Sequence, residues 1–379
     1  MAPVDWPQFH FDASHVGWNQ SEHKLKVSNV GNLTVKWSKV LRTGGDLSPV
    51  LAQDVLYVGT DTHGYLYALD AKDGQLLWYR HALRDFPITS APAVANGIVY
   101  VGTARADDGG GQHGIILAVD AESGARIWAK TTAGAIYGAP CVDGNVVYVA
   151  NAIRANDQAS PSGCVYALDA SSGSKLGKHL TADWVLGSPT VSGDLLYFSC
   201  ADHSVYAVDK TNLNNQSPAW SHSFGNLEPW NTPAVDGDVV YVTAGPDVNC
   251  LHPQNPTLDW TYTTQDKILS SPAVAGGVVY VGSTDKQVYA IHDGNLVWPE
   301  PVLTGGEIRS SPAVANGVVY VGSSDHHLYV IDAATGDLLN PNLDAGDPVI
   351  SSPAVANGVV YVGSGTDQTH GYITAYDLH

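Results

Sequence analysis

Eight times along the chain a proline is followed by valine (once leucine) at +2, tyrosine at +8, and valine or phenylalanine at +9. The prolines are Pro49, Pro92, Pro140, Pro189, Pro233, Pro272, Pro312 and Pro353, and the tyrosines are Tyr57, Tyr100, Tyr148, Tyr197, Tyr241, Tyr280, Tyr320 and Tyr361. Successive prolines lie 43, 48, 49, 44, 39, 40 and 41 residues apart. Self-similarity at such a period marks a propeller, a solenoid or an array.

The seventh unit shows what one repeat contains. After Pro312-Ala313-Val314, the pair Asn316-Gly317 predicts a tight hairpin, since both central residues tolerate positive φ. A β-branched and aromatic strand follows at 318–322, then a polar turn at Asp325-His326-His327, a third strand at 328–332, and the turn Ala333-Ala334-Thr335-Gly336 into an outer strand. Four strands with short turns make one propeller blade, and neighbours covering both of its faces explain why the runs lack clean alternation. The expectation is an all-β, eight-bladed β-propeller of four-stranded antiparallel blades. After Pro353 only three strands fit, whereas residues 33–40 offer an unassigned one. That N-terminal strand is expected to complete the blade formed by 350–379, which removes a free edge.

Repeats without a linker place residues 1–379 in a single domain, an exception to counting domains by length. No apolar stretch approaches the roughly 18 residues of a membrane span, so no transmembrane segment is expected. A net charge of −19, from 37 acidic and 18 basic residues, argues against nucleic acid as a partner, because backbone binding needs clustered Lys and Arg. Surplus carboxylates serve either to keep a large β protein soluble or to attract a cationic partner. Cys141, Cys164, Cys200 and Cys250 fall in or beside expected strands without C-x-x-C spacing, and read as buried thiols packing as small hydrophobes. The chain opens Met-Ala-Pro-Val-Asp with no basic and apolar leader, so either it is cytoplasmic or a signal peptide lies outside this numbering.

The turns after the third strands carry a further motif. Ala68-Leu69-Asp70-Ala71-Lys72-Asp73-Gly74-Gln75-Leu76-Leu77-Trp78 and Ala118-Val119-Asp120-Ala121-Glu122-Ser123-Gly124-Ala125-Arg126-Ile127-Trp128 resemble the tryptophan-docking motif A-x-D-x-x-[ST]-G-x-x-x-W of PQQ-like propeller repeats, the family of quinoprotein dehydrogenase propellers and the outer-membrane assembly lipoprotein. Physically, the Asp oxygen bonds the turn backbone, Gly takes the left-handed position and Trp packs a flat surface against the next blade. Trp37, Trp78, Trp128, Trp220, Trp260 and Trp298 occupy or approximate the docking position, but blade three ends Ser174-Lys175-Leu176-Gly177 and blade seven Asp337-Leu338-Leu339-Asn340, while blade five is degenerate around Leu251-His252-Pro253. No Trp-Asp dipeptide supports a WD40 reading. The resemblance implies an extracytoplasmic location. It also admits an enzyme using PQQ with calcium, yet the adjacent-cysteine pair common in such dehydrogenases is absent and the chain is shorter than they are.

Propellers are scaffolds, so the site has to be argued from residues. The links entering each inner strand gather at the channel mouth. Three residues before each repeat proline stand Asp46, Thr89, Tyr137, Leu186, Trp230, Leu269, Arg309 and Ile350, with charged or large aromatic groups on odd blades only. Asp46, Tyr137, Trp230 and Arg309 are therefore the candidate ligand-binding set: stacking on Trp230 or Tyr137, with Arg309 gripping a carboxylate or carbonyl. The plainer alternative is an Asp46–Arg309 ion pair plugging the channel. Trp184, Glu228, Asn231, Glu307, His113 and His327 are rim candidates.

The turns between second and third strands supply His63, Asp107, Asp108, His113, Asp202, His203, Asp325, His326, His327, Asp367 and His370, a mixture able to bind a divalent metal. They come from different blades without a local ligand spacing, so no metal site is expected. Insertions at 104–113 and 151–162 lie on the same face, either as rims or as plain surface loops. No G-x-S-x-G elbow or other catalytic constellation emerges. The reading is a non-catalytic, monomeric scaffold without a cofactor, binding a small molecule or protein at the channel-mouth face; the alternative is a PQQ-dependent dehydrogenase using that pocket.

Overall fold

The computed structural model describes residues 5–42, 44–45, 47–61, 63–82, 86–106, 112–153, 162–252, 255–341, 343–365 and 370–378. Eight antiparallel sheets of four principal strands follow one another along the chain. In each, the short strand after the repeat proline is innermost, and every innermost strand touches those of the two neighbouring blades. Residues 354–356 touch 50–52, which closes the ring. The eighth blade is completed as the sequence predicts: Leu33–Leu41 pairs antiparallel with Gly371–Leu378.

The apolar cores lie between blades. Tyr57, Leu66 and Val50 of blade one, for example, share a cluster with Ile88, Val99 and Leu117 of blade two. The repeat tyrosine and the docking tryptophan turn out to be two halves of one device. Trp78 Nε1 and Tyr57 Oη both donate to the carbonyl of Ala121 in the next blade, at 3.0 and 3.1 Å. Trp128 and Tyr100 converge likewise on Ala170, Trp298 and Tyr280 on Ala333, and Trp37 and Tyr361 on Ala71. The glycine of the turn makes room for the ring: a Cβ on Gly124, whose φ is +66°, would lie 2.7 Å from Trp78. Trp298, 2% exposed, gives the cleanest test. Trp298→Ala should lower stability by roughly 3–5 kcal/mol, and Trp298→Phe, which keeps a ring but loses the N–H bond, by less; a Trp298→Phe protein as stable as the unaltered one in chemical denaturation would contradict the bonding role, and losses equal to those of Trp298→Ala the packing role.

The Ser-Ser-Pro triplets are equally legible. The first serine clips its own blade, Ser270, Ser310 and Ser351 accepting the N–H of Gly282, Gly322 and Gly363 at 2.9, 3.0 and 2.8 Å. The second ties blade to blade, as described below. All four cysteines are unpaired and buried, and burial pushes the Cys200 and Cys250 thiols up to about 12.

Candidate functional site

The links entering the inner strands and the turns between second and third strands do share one face. Their backbones bond directly: Ala201 N to Trp184 O at 2.8 Å, Thr284 N to Lys267 O at 2.9 Å and Ser324 N to Glu307 O at 3.0 Å. At the centre of this face a funnel of about 160 Å³ opens on the ring axis. Its mouth is made by the residues three before each proline, Thr89, Tyr137, Leu186, Trp230, Leu269, Arg309 and Ile350. Asp46, the eighth member by sequence, lies outside the described residues.

Below the mouth runs a belt formed by the residues just before each proline: Ser48, Ala91, Ala139, Ser188, Thr232, Ser271, Ser311 and Ser352. Each hydroxyl accepts the backbone N–H of the equivalent residue one blade back. The links run Ala139 to Ser188 (2.9 Å), Ser188 to Thr232 (2.9 Å), Thr232 to Ser271 (3.1 Å), Ser271 to Ser311 (2.9 Å), Ser311 to Ser352 (3.1 Å) and Ser352 to Ser48 (2.9 Å). The alanines of blades two and three interrupt the circle. Accepting a bond leaves each hydroxyl with a proton to donate. For Ser188, Thr232, Ser271, Ser311 and Ser352, all less than 9% exposed, no acceptor for that proton lies within reach among the described residues.

The funnel floor is a segment the sequence reading left unassigned. Residues 6–19 circle inside the ring and engage the +2 residue of every blade in turn. Trp6 exchanges both backbone bonds with Leu51, Val94 N donates to Pro7 O, and the Gln8 amide brackets Val142 by accepting from its N–H and donating to its carbonyl. Val191, Val235, Val274 and Val314 donate to the carbonyls of Ala13, Ser14, Val16 and Gly17, at 2.7, 3.0, 2.7 and 2.8 Å. Asn19 Nδ2 then reaches Val355 O at 2.8 Å. Phe9 lines the funnel from beneath and stacks on His10, with ring centroids 4.5 Å apart. His10, Phe11 and His15 take left-handed φ values of 52°, 81° and 52°, so the plug is coiled tightly enough to hold three ordinary residues in a sparsely allowed region.

The structure brings Tyr137, Trp230 and Arg309 together around one opening, and does less for the rim candidates. Tyr137 and Trp230 are 36% and 42% exposed, large aromatic faces at the mouth. Arg309 pairs with Glu307 on its own link, Nη2 to Oε2 at 3.2 Å. Asn231 lines the funnel but ties blades five and six, donating to Thr243 Oγ1 and Ile268 O at 2.8 and 2.9 Å. Glu228 belongs to a side hollow of about 170 Å³ that shares Trp230 and Leu269 with the funnel. Trp184 donates to Ile153 O, while His113 is exposed on the third strand of blade two; neither lines the funnel. His327 sits in its turn against Asp325, Nδ1 lying 2.9 Å from the Asp325 carbonyl.

The turn carboxylates have structural work. Asp202, Asp285 and Asp325 each accept the hydroxyl of the tyrosine four residues on, Tyr206, Tyr289 and Tyr329, at 2.7 Å. Of the metal-candidate residues, Asp107, Asp108 and Asp367 lie outside the described residues. Among the described residues, no three His, Cys, Asp or Glu side chains gather to hold a metal. The insertions extend the strands upward, as in blade three where Ile153 still pairs with Ser162; their tips lie outside the described residues.

Matches to the family described as outer membrane protein assembly factor BamB run over residues 14–113, 112–223, 214–340 and 293–379. The chain belongs to this PQQ-repeat propeller family. Within the family's reach are proteins of two kinds. Quinohemoprotein alcohol dehydrogenase ADH-IIG of Pseudomonas putida is 30% identical over 145 residues, 34% of this chain and 19% of the dehydrogenase. Its solved structure superposes with a TM-score of 0.80 at 17% identity, covering 99% of this chain and 80% of the other. BamB of Alteromonas naphthalenivorans is 24% identical over 164 residues, 35% of this chain and 36% of its own length. The BamB structure from Moraxella catarrhalis gives a TM-score of 0.68 at 18% identity, covering 91% of this chain and 97% of the other. The sequence matches thus span well under two thirds of either relative, and the structural likenesses speak for the fold alone. Among the described residues no helix is long and apolar enough to cross a membrane.

The dehydrogenase likeness raises a quinone with its metal as a possible occupant of the funnel. The described wall does not fit that pair. It contains no carboxylate, histidine or cysteine, where a calcium ion needs several oxygen donors including carboxylates. At about 160 Å³ the space is also below the roughly 300–1,000 Å³ of ordinary cofactor pockets.

Proposed function

We propose that this PQQ-repeat propeller is a non-catalytic scaffold that receives a small, flat, carboxylate- or carbonyl-bearing ligand, or a side chain of a partner protein with that chemistry, in the funnel. The observation that carries the reading is the convergence at one opening of two exposed aromatic faces and a guanidinium, Tyr137, Trp230 and Arg309, over a belt of hydroxyls with protons still to donate. An aromatic or conjugated group stacks on Trp230. Arg309 meets its carboxylate, in exchange for an exposed pair with Glu307 that costs little to give up. Oxygen atoms reaching deeper accept from Ser188, Thr232, Ser271, Ser311 and Ser352. By likeness to an outer membrane protein assembly factor, the setting is extracytoplasmic.

Calorimetric titration with benzoate and nicotinate tests the proposal. Binding should weaken at least tenfold in Arg309→Ala, the size expected for one charged hydrogen bond, and also fall in Trp230→Ala. Absence of binding to the unaltered protein, or equal binding in Arg309→Ala, sinks it. The quinone-enzyme reading has the P. putida dehydrogenase on its side. Stable retention of PQQ with calcium, seen by visible absorbance and accompanied by dye-linked alcohol oxidation, would establish it instead.

A further inference from the structure

The docking device between blades has a vacancy. Where Trp37, Trp78, Trp128 and Trp298 fill the slot, an indole N–H reaches the next blade's carbonyl at 2.9–3.2 Å. In blade three the strand register sets Gly177 opposite Ala167, as it sets Trp78 opposite Ala68 in blade one. The corresponding carbonyl is that of Lys210, and among the described residues it receives only the Tyr148 hydroxyl at 3.5 Å, the outer limit of a hydrogen bond. What remains is a hollow of about 310 Å³ walled by Val146, Tyr148, Ala167, Gly177 and Lys210. These positions correspond to Val55, Tyr57, Ala68, Trp78 and Ala121, which pack as one cluster in the intact device.

The chain does not simply close the gap. The turn of blade four is three residues longer than the motif, with Asp209 and Trp220 where blade one has Asp70 and Trp78. Its extra residues arch over the outer strand of blade three, Leu180 N donating to Gln216 Oε1 at 2.8 Å and Lys178 N to Asn214 Oδ1 at 3.4 Å. Leu213, 2% exposed, enters part of the slot, but a leucine is smaller than an indole and has no donor for the Lys210 carbonyl. The ion pair Lys210–Asp143, at 2.8 Å, stands at the edge of the hollow. Blade seven, which also lacks the tryptophan, solves the problem with its own atoms: Asn340 Nδ2 is engaged by the carbonyls of Val30, Gly31 and Leu33.

We infer that the gap between blades three and four is a binding site for a planar aromatic ring bearing an N–H donor, of which indole is the simplest member. The ring lies against Tyr148 and Ala167 in the part of the slot that Leu213 leaves open, and its N–H meets the Lys210 carbonyl. Nothing in this site overlaps the funnel, so the two proposals stand or fall separately.

Indole titrated into the full chain should bind one-to-one by calorimetry. Indene, the same shape without the N–H, should bind at least threefold more weakly, the effect of one neutral hydrogen bond. Gly177→Leu should abolish binding while leaving the β spectrum unchanged; Gly177 has ordinary strand φ, though a Cβ there would lie 3.2 Å from Leu213 Cβ. If that variant folds poorly, Thr211→Cys carrying a bulky maleimide blocks the same mouth, and selective labelling is practical because the four native thiols are buried. No binding of indole, equal binding of indene, or undiminished binding in the blocked protein each overturns the inference.

Discussion

A chain lacking residues 1–19 should still assemble eight blades but melt roughly 5–15 °C lower and expose the Cys141 thiol. Blade closure is untouched, because Leu33–Leu41 remains to pair with Gly371–Leu378. What disappears is a plug bonded to the +2 residue of all eight blades. At roughly 0.5–1.5 kcal/mol net per hydrogen bond, one bond per blade sums to about 4–12 kcal/mol. Water entering the emptied channel would solvate the freed N–H groups, which keeps the loss at the net value and spares the full penalty of buried unpaired donors. Cys141 supplies a local readout. Its sulfur lies 3.6 Å from the carbonyl of Ala13 in the plug, and burial holds the thiol far above its usual range. Removing the plug should bring that thiol into reach of a disulfide reagent, while Cys164 and Cys200, whose sulfurs bond to Asn151 and to the Asp183 carbonyl, stay silent. An unchanged melting point with an unreactive Cys141 would show the plug to be dispensable.

The plug also marks the limit of what the sequence discloses. The blades are legible because their determinants repeat: the tyrosine at +8 and the docking tryptophan share a carbonyl, and each serine of Ser-Ser-Pro has one bonding task. The mouth of the funnel follows from the same ruler, since counting three back from each proline finds Tyr137, Trp230 and Arg309. Residues 6–19 repeat nothing. Their bonds are mostly backbone-mediated and bridge separations of 134 residues at Gln8 and 336 at Asn19, which no local pattern encodes. One signal was available. The inner edge of eight innermost strands presents backbone donors that must find partners, so an unassigned segment of suitable length preceding the first blade was a candidate to cover them. The rim candidates Trp184 and His113 missed the funnel for a different reason. Membership of a link or turn fixes the face of the ring, whereas distance from the axis depends on how far along the link a residue sits.

Acid should loosen the plug. Burial, with His15 nearby, holds the His10 imidazole down to about 3, and its Nε2 has no partner among the described residues. Burial lowers His15 as well, against the opposing pull of Asp12 and of the carbonyls of Phe9 and Pro189. Both rings are therefore neutral in the native ring at neutral pH. Below pH 6.5 the unfolded chain binds protons that the folded plug refuses, so stability falls as pH is lowered through 6.5 and goes on falling to about 3. For His10 alone the loss by pH 4.5 is roughly 2–3 kcal/mol. Asp5, at the start of the plug, works the other way: burial raises its carboxyl, so protonating it in acid favours the folded state. The surface carboxylates of the docking turns, Asp120, Asp169 and Asp209, are lowered by hydrogen bonds from Ser123, Ser171 and Thr211, and what they contribute is lost only as pH drops below the ordinary carboxylate value of 3.8. The interval between pH 6.5 and 4.5 thus isolates the histidines, those of the plug together with His179 in the outer strand of blade three, which burial also lowers. Denaturation midpoints measured across it should slope downward in the unaltered protein and markedly less in His10→Phe, which keeps a flat ring beside Phe9 and removes the titration. Reactivity of Cys141 should rise over the same interval if the plug is what yields. Parallel slopes in the two proteins would assign the acid sensitivity to other groups.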